Sequence, residues 1–379
     1  MEVYIWAVFV ELRGNTMQPN AVNRRSFIQA AGATGAVAIA GCLSDGTAEN
    51  DPVPESTEAE QGLPDAAAVD VDHVAADPTA IPPPVDWDEP RTHEITLESI
   101  EVTAEVEPGV TLDFMTYEGQ IPGPMIRVRE GDTIDLTFEV PDDHNRDAHN
   151  VDFHAVYGPG GGAEATTLAP GDEPARLRFK TTYPGIHIYH CAVPNMDQHI
   201  SLGMFGAILV EPKEGLPEVD REFYFGQHEV YTDGDTGEEG HHTFAFDDAA
   251  DEDPTYVLMN GEAYGFSDAG QHGPVHAEVG ETVRVYFANG GPNLTSALHP
   301  IGNVWSRFYR DGDLLSDPGR NVETAPIAPG TVVAGEMELP VPGPIKIVDH
   351  ALSRVARKGM LAVIDVEGEP NPDIYDDDL

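Results

Sequence analysis

Among the side chains between residues 149 and 204 that can bind transition metals or carry protons, seven stand out by their spacing: His149, Asp152, His154, His190, Cys191, His199 and Met204. The run Cys191-x7-His199-x4-Met204 puts a thiol, an imidazole and a thioether in one short loop. His149 offers a second imidazole from an earlier segment. A thiolate, two imidazoles and a weak thioether form the blue-copper ligand set, which suits a site cycling between Cu(I) and Cu(II). Zinc sites rarely recruit methionine, and the chain has no Cys-x-x-Cys pair.

Strand geometry sorts these residues. Successive side chains on a strand point to opposite faces. His190 and Cys191 are neighbours and must face opposite ways; His149 and His154, five apart, do so on a regular strand. Asp152 and His154 share a face. One face therefore collects His149 and Cys191, the other Asp152, His154 and His190. The second group can begin another metal site but is one ligand short. His350, in Ile347-Val348-Asp349-His350 from later in the chain, can supply it. A metal held by three histidines keeps a position open for water or substrate. His299, in Leu298-His299-Pro300-Ile301, is a further candidate for the same pocket.

From His93 onward the signals are short alternating segments such as Thr133-Ile134-Asp135-Leu136-Thr137-Phe138, separated by Gly, Pro and Asp turns. They predict all-β sandwich or barrel domains. The pattern then repeats. Residues Ile126 to Ile134 match Val275 to Val283, Ala169-Pro170-Gly171 matches Ala328-Pro329-Gly330, and Gly203 to Glu211 match Gly359 to Glu367. Three matches in one order indicate a duplicated domain. The alignment sets Asp349 against Cys191, so the second copy has lost its cysteine.

The expected organisation is an export signal over residues 1–42, a disordered acidic tether over 43–92, a first domain over 93–212, a second over 213–371 and an acidic tail over 372–379. Asn23-Arg24-Arg25-Ser26-Phe27-Ile28 ahead of an uncharged Ala- and Gly-rich run reads as a twin-arginine signal. Ile39-Ala40-Gly41-Cys42 resembles a lipobox, with lipid attached at Cys42. The residues before Met17 sit awkwardly ahead of this signal, so Met17 is the expected true start. Localisation at the outer face of the cytoplasmic membrane follows, with the membrane touched only through that anchor. Cys42 and Cys191 lie in such different contexts that no structural disulfide is expected.

Acidic residues outnumber basic ones 67 to 20, for a formal charge of -47, and only four of the cations are lysines. With 40% hydrophobic residues the chain is not a disordered polyanion. It reads as a halophile's protein, because at ~1 M salt the Debye length is ~3 Å and self-repulsion is screened. Nucleic acid is excluded as a partner, since phosphate binding needs clustered Lys and Arg.

The motifs His149-Asn150-Val151-Asp152-Phe153-His154, Tyr189-His190-Cys191-Ala192, His199 with Gly203-Met204, His299-Pro300-Ile301 and Asp349-His350 resemble those of the copper-containing nitrite reductases, across roughly residues 93 to 371. The resemblance implies two tandem cupredoxin-like Greek-key β-sandwich domains and two coppers per subunit. It implies type 1 copper on His149, Cys191, His199 and Met204, and type 2 copper on His154, His190 and His350. It implies Asp152 and His299 as catalytic proton donors and Ile301 as the residue that shapes the nitrite pocket. The implied reaction is reduction of nitrite to nitric oxide, with an electron passing from type 1 to type 2 copper. A homotrimer, with His350 supplied by a neighbouring subunit, is implied too, as is a small blue-copper protein or c-type cytochrome as electron donor. The loop from Cys191 to His199 is one residue shorter than in the best-known members and carries Gln198 where they have tryptophan; it is similar to the short-loop subclass, which includes lipid-anchored enzymes.

Two rivals remain. A multicopper oxidase of the laccase type needs paired His-x-His motifs and a His-Cys-His run, whereas Ala192 follows Cys191 here. A blue-copper electron carrier would leave His154, His190 and His350 without a shared purpose. The other histidines, His73 and His272 among them, are read as tether, surface or satisfied residues.

Overall fold

The computed structural model describes residues 62–377. The export signal, the lipobox with Cys42 and the Met17 start lie outside the described residues. Eight strands precede residue 212: β1 Thr92–Glu107, β2 Val110–Tyr117, β3 Gly123–Arg129, β4 Thr133–Glu139, β5 Asp152–Phe153, β6 Ala175–Lys180, β7 Gly185–His190 and β8 Phe205–Glu211. Twelve follow: β9 Arg221–Val230, β10 Gly240–His242, β11 Tyr256–Met259, β12 Val275–Glu278, β13 Thr282–Gly291, β14 Ser296–Ile301, β15 Trp305–Tyr309, β16 Gly319–Val322, β17 Ala325–Ile327, β18 Thr331–Glu338, β19 Gly343–Asp349 and β20 Leu361–Glu367. The described helices are single turns or little more, such as α1 Ala163–Thr166 and α2 Met196–Ser201.

Period-two patterning makes these strands. In β4, Ile134, Leu136 and Phe138 are buried while the residues between them are half-buried. β8 is buried along its whole length because both of its faces are covered. Phe205, at its start, lies against Gly226 and Gly290 of the second half, where a Cβ would come 2.9 and 2.8 Å from the ring. The first sandwich pairs the sheet β10-β2-β1-β4-β6 with β3-β8-β7-β5. The second pairs β11-β9-β13-β18-β15-β16 with β12-β20-β19-β14-β17. These are two β-sandwich domains, one of the two forms the alternation allows and duplicated as the repeat predicts, of the cupredoxin-like kind the resemblance implies. The chain crosses back once: β10 runs parallel to β2 and joins the first sandwich.

The strand registers reproduce the sequence repeat pair by pair. Ile126 pairs with Ile208 and Arg129 with Glu211; their counterparts Val275 and Glu278 pair with Ile364 and Glu367. The core of the first sandwich continues without a break into Tyr224, Tyr256, Tyr286 and Val332 of the second. A buried charge network spans the same seam. Arg127 meets Glu211 and Glu222, at 2.5 and 2.6 Å, and Glu222 also meets Arg284 at 2.8 Å. Each buried cation thus has carboxylate partners, which buried charges require.

The expected disordered tether does not extend through residue 92. From residue 62 the chain lies along both sandwiches as an extended, ordered segment. Val74 is fully buried, and Ala76 N–H and the Val74 carbonyl bond to Ile121 at 2.8 Å each. Trp87 and the Arg91 N–H reach Asp132. The segment has the composition of a linker because it is held by scattered anchors and backbone hydrogen bonds, which leave no periodic hydrophobic signal. Beyond residue 371 the described tail residues are exposed.

Candidate metal centres

The first centre forms where the end of β7 meets α2. His149 Nδ1 and His199 Nδ1 are 3.2 Å apart, and Cys191 Sγ lies 3.6 Å from His199 Nδ1 and 4.0 Å from His149 Nδ1. Two imidazole nitrogens on one tetrahedral ion sit ~3.3 Å apart, and a nitrogen and a thiolate ~3.5 Å apart, for bonds of ~2.0 and ~2.3 Å. The three donor atoms therefore match the spread that a single ion sets. All three residues are buried, as is Met204. The Met204 backbone binds both neighbours: its N–H donates to the His199 carbonyl at 3.0 Å, and its carbonyl accepts from Cys191 N–H at 3.1 Å.

The electrostatics favour a cation here. Burial pushes the Cys191 thiol up to about 11, so a thiolate at neutral pH needs a compensating positive ion. Burial, and then the neighbouring His149, push His199 down to about 4, which keeps it in the neutral form that ligates. His149 turns its Nε2 to Glu101 Oε1 at 3.1 Å, leaving Nδ1 for the metal. Burial alone would raise the Glu101 carboxyl. Hydrogen bonds from His149, Arg146 and the Asp147 and Arg146 amides outweigh it and bring the group to about 2. A carboxylate that fixes the far nitrogen of a ligand histidine sets its tautomer and orientation. Asn150 Oδ1 accepts from Ala192 N–H at 2.7 Å and lies 3.7 Å from Sγ, which pins the loop beyond the cysteine.

The second cluster lies on the opposite face of the same strands. Asp152 pairs with His190 across β5 and β7, and His154 N–H continues the ladder to the Ile188 carbonyl at 3.1 Å. The Asp152, His154 and His190 side chains converge, with Nε2 of the two histidines 3.1 Å apart. That spacing also suits one ion. Burial, and then His190, lower the pKa of His154. His190 Nδ1 faces the Cys191 carbonyl at 2.9 Å, which aims Nε2 outward. Over Asp152 folds the glycine run at residues 160 to 162. At Gly161, φ is +57 and a Cβ would come 1.8 Å from Asp152 Oδ1, so only glycine fits there.

The remaining predicted residues stand elsewhere. His299 and His350 face each other from β14 and the end of β19, with ring centroids 5.3 Å apart. His299 Nδ1 bonds the Glu323 carbonyl at 2.8 Å. Ile301, 40% exposed, shares the His299 face of β14. Among the described residues, the metal-capable group on the first sandwich holds His154 and His190 but not His350. His299 and His350 thus lie outside that group in the single chain. The sequence reading missed Glu101 and Asn150. The one signal for Glu101 was an acid at the same strand parity as the buried Leu97 and Ser99.

A family model described as multicopper oxidase matches residues 99–215. The copper-containing nitrite reductase of Neisseria gonorrhoeae is 43% identical over 304 residues, covering 80% of this chain and 76% of that protein. That of Cereibacter sphaeroides is 32% identical over 347 residues, covering 84% and 90%. Among solved structures, the copper nitrite reductase of Nitrosomonas europaea matches with a TM-score of 0.65 at 31% identity, over 74% of this chain and 96% of that one. A multicopper oxidase matches with a TM-score of 0.61 at 27% identity, over 73% and 89%.

Proposed function

The chain belongs to the copper-containing nitrite reductases, and from that premise we propose that it reduces nitrite to nitric oxide at copper centres built from the two clusters. The observation that carries this reading is their back-to-back placement. Cys191 serves one cluster and the adjacent His190 the other, and a hydrogen bond from His190 Nδ1 to the Cys191 carbonyl adds to the peptide link. A carrier with one metal would need no second cluster. A laccase-type oxidase would need a histidine after Cys191, where Ala192 stands.

His149, Cys191, His199 and Met204 would hold the first copper, and His154, His190 and His350 the second. Bound copper supplies a one-electron couple at the first site and positive charge for an anionic substrate at the second. Asp152, beside His154 and His190, is placed to hydrogen-bond bound nitrite and deliver the first proton. His299 is the second donor, since imidazole both takes up and releases protons and so suits a relay. Ile301 offers an exposed apolar wall that limits the substrate's pose.

The separation of His299 and His350 from His154 and His190 supports a homotrimer in which each subunit completes its neighbour's site. A head-to-tail contact closing into a ring provides for this. The short Cys191–His199 loop supports the short-loop subclass, and the lipobox at Cys42 behind a twin-arginine motif supports an exported, lipid-anchored enzyme. The charge of -47 supports a halophilic setting, where a small blue-copper protein or c-type cytochrome would deliver electrons.

The test is anaerobic nitrite reduction in high salt by the copper-loaded protein, with an artificial donor and a nitric oxide electrode. One nitric oxide per nitrite consumed is expected. No nitric oxide from protein that holds copper at both centres overturns the reading.

A further inference from the structure

We propose that His73, Glu262 and His272 form a third metal site, for a divalent ion of the zinc class, which clips the segment before β1 onto the second sandwich. His73 lies in the segment before β1, Glu262 and His272 lie in the loop between β11 and β12, and their ligand atoms are within 4.8 Å of one another. Glu262 Oε2 is 2.8 Å from His272 Nε2, and Glu262 Oε1 is 3.9 Å from His73 Nδ1. Two imidazoles and a carboxylate, with further positions open to water, form a zinc donor set.

The charge balance points the same way. The Glu262 side chain is 5% exposed, and among the described residues its ion-pairing partners are these two imidazoles. A buried carboxylate needs a partner that offsets its charge, and a divalent ion held between the three side chains supplies one. The two histidines are more open, at 40% and 21% side-chain exposure, so an ion has a path in from solvent.

The scaffold holds the three ligands in place. Glu262 follows an Asn260-Gly261 turn in which φ is positive at both residues, 53 and 85, and Met259 pairs with Glu262 across it. That is the geometry of a tight two-residue hairpin. Asn260 Nδ2 donates to the Ala76 carbonyl at 3.0 Å, and Asn260 Oδ1 accepts from Gly226 N–H at 2.7 Å. A Cβ at Gly261 would come 2.8 Å from Val74 Cγ1, so the turn seats directly against the residue after His73. The His272 ring stacks on Phe266 with centroids 4.8 Å apart and meets the edge of the His73 ring at the same distance. Two donors each ~2.1 Å from one ion stand between ~3.4 and ~4.2 Å apart. His73 Nδ1, 3.9 Å from Glu262 Oε1, already stands in that range, and the 2.8 Å contact between Glu262 and His272 would lengthen by about 0.6 Å as an ion replaces the shared proton.

The proposal is independent of nitrite chemistry, and its test reads metal binding and thermal stability. Copper-loaded protein is titrated with Zn²⁺ by calorimetry, and zinc and copper are then counted per chain after desalting. One additional zinc with copper retained is expected, together with a higher Tm. His73→Ala and His272→Ala should each weaken that zinc by at least ~100-fold, since even outer partners of a ligand cost 10–100-fold. Both positions are exposed enough for the variants to fold, and the unchanged copper content and Tm of the zinc-free variants check this. No retained zinc in the parent protein, or zinc that binds the variants as tightly, overturns the proposal; in the latter case the ion is adventitious.

Discussion

Matched through their strand pairings, the two sandwiches give one set of positions two different uses. Where the first holds Cys191, the second holds Asp349, which is fully buried and ion-paired to Arg354. His149 corresponds to Ser296, since each pairs with the residue just before its Ala-Pro-Gly turn, Leu168 or Ile327. Ser296 now bonds Gln227 at 2.8 Å. Met204 corresponds to Met360, which is still buried, with Asp349 N–H 2.9 Å from its sulfur. The second copy thus keeps the thioether but has exchanged a soft thiolate for a hard carboxylate. A guanidinium supplies the positive charge there. On the opposite face the correspondence reads differently: Asp152 pairs with His190 as His299 pairs with Val348. Both copies keep a proton-bearing group at that position. The comparison teaches that the buried face can lose its metal set when an internal ion pair replaces it. On the outward face both copies keep polar groups, as the proposed shared site requires.

The strongest challenge to this comparison is Cys191→Ser. It should remove the intense visible absorption and reduce nitrite turnover to the limit of detection, with copper at the second centre retained in metal analysis. Full colour in the variant would mean that Cys191 is no ligand. Next in size are Asp152→Asn and, at the matching position, His299→Gln. General acid–base groups contribute ~10²–10⁴-fold, so steady-state turnover should fall within that range for Asp152→Asn and by less for His299→Gln, with both coppers still bound. If only one variant slows the enzyme, the two halves do not share one site. The smallest expected effect is that of Arg354→Ala, which strands a buried carboxylate in the second copy. It should cost about 3 kcal/mol in denaturant unfolding while leaving the visible spectrum unchanged. A spectral change would connect the two buried faces, which the comparison keeps apart.

What the sequence by itself determined rests on short-range rules. The spacing of Cys191, His199 and Met204 specifies a soft ligand set, and alternation along strands separates His149 and Cys191 from Asp152, His154 and His190. The parity argument held although β5 is only Asp152–Phe153, because His154 N–H extends the ladder by one more bond. The duplication was equally legible, since matching sequence segments form strands that pair in the same way in both copies. Tertiary structure alone decided three things. It brought Glu101 to His149 across 48 residues, a contact that no local pattern encodes. It kept His299 and His350 apart from His154 and His190, which parity cannot determine because parity assigns faces and not neighbours. It also ordered the Pro- and Asp-rich stretch from residue 62, whose anchors are single side chains such as Val74 and Trp87. Without a period such anchors resemble linker composition, and only the surface they meet, the Asn260-Gly261 turn and Asp132, reveals that the segment is part of the fold.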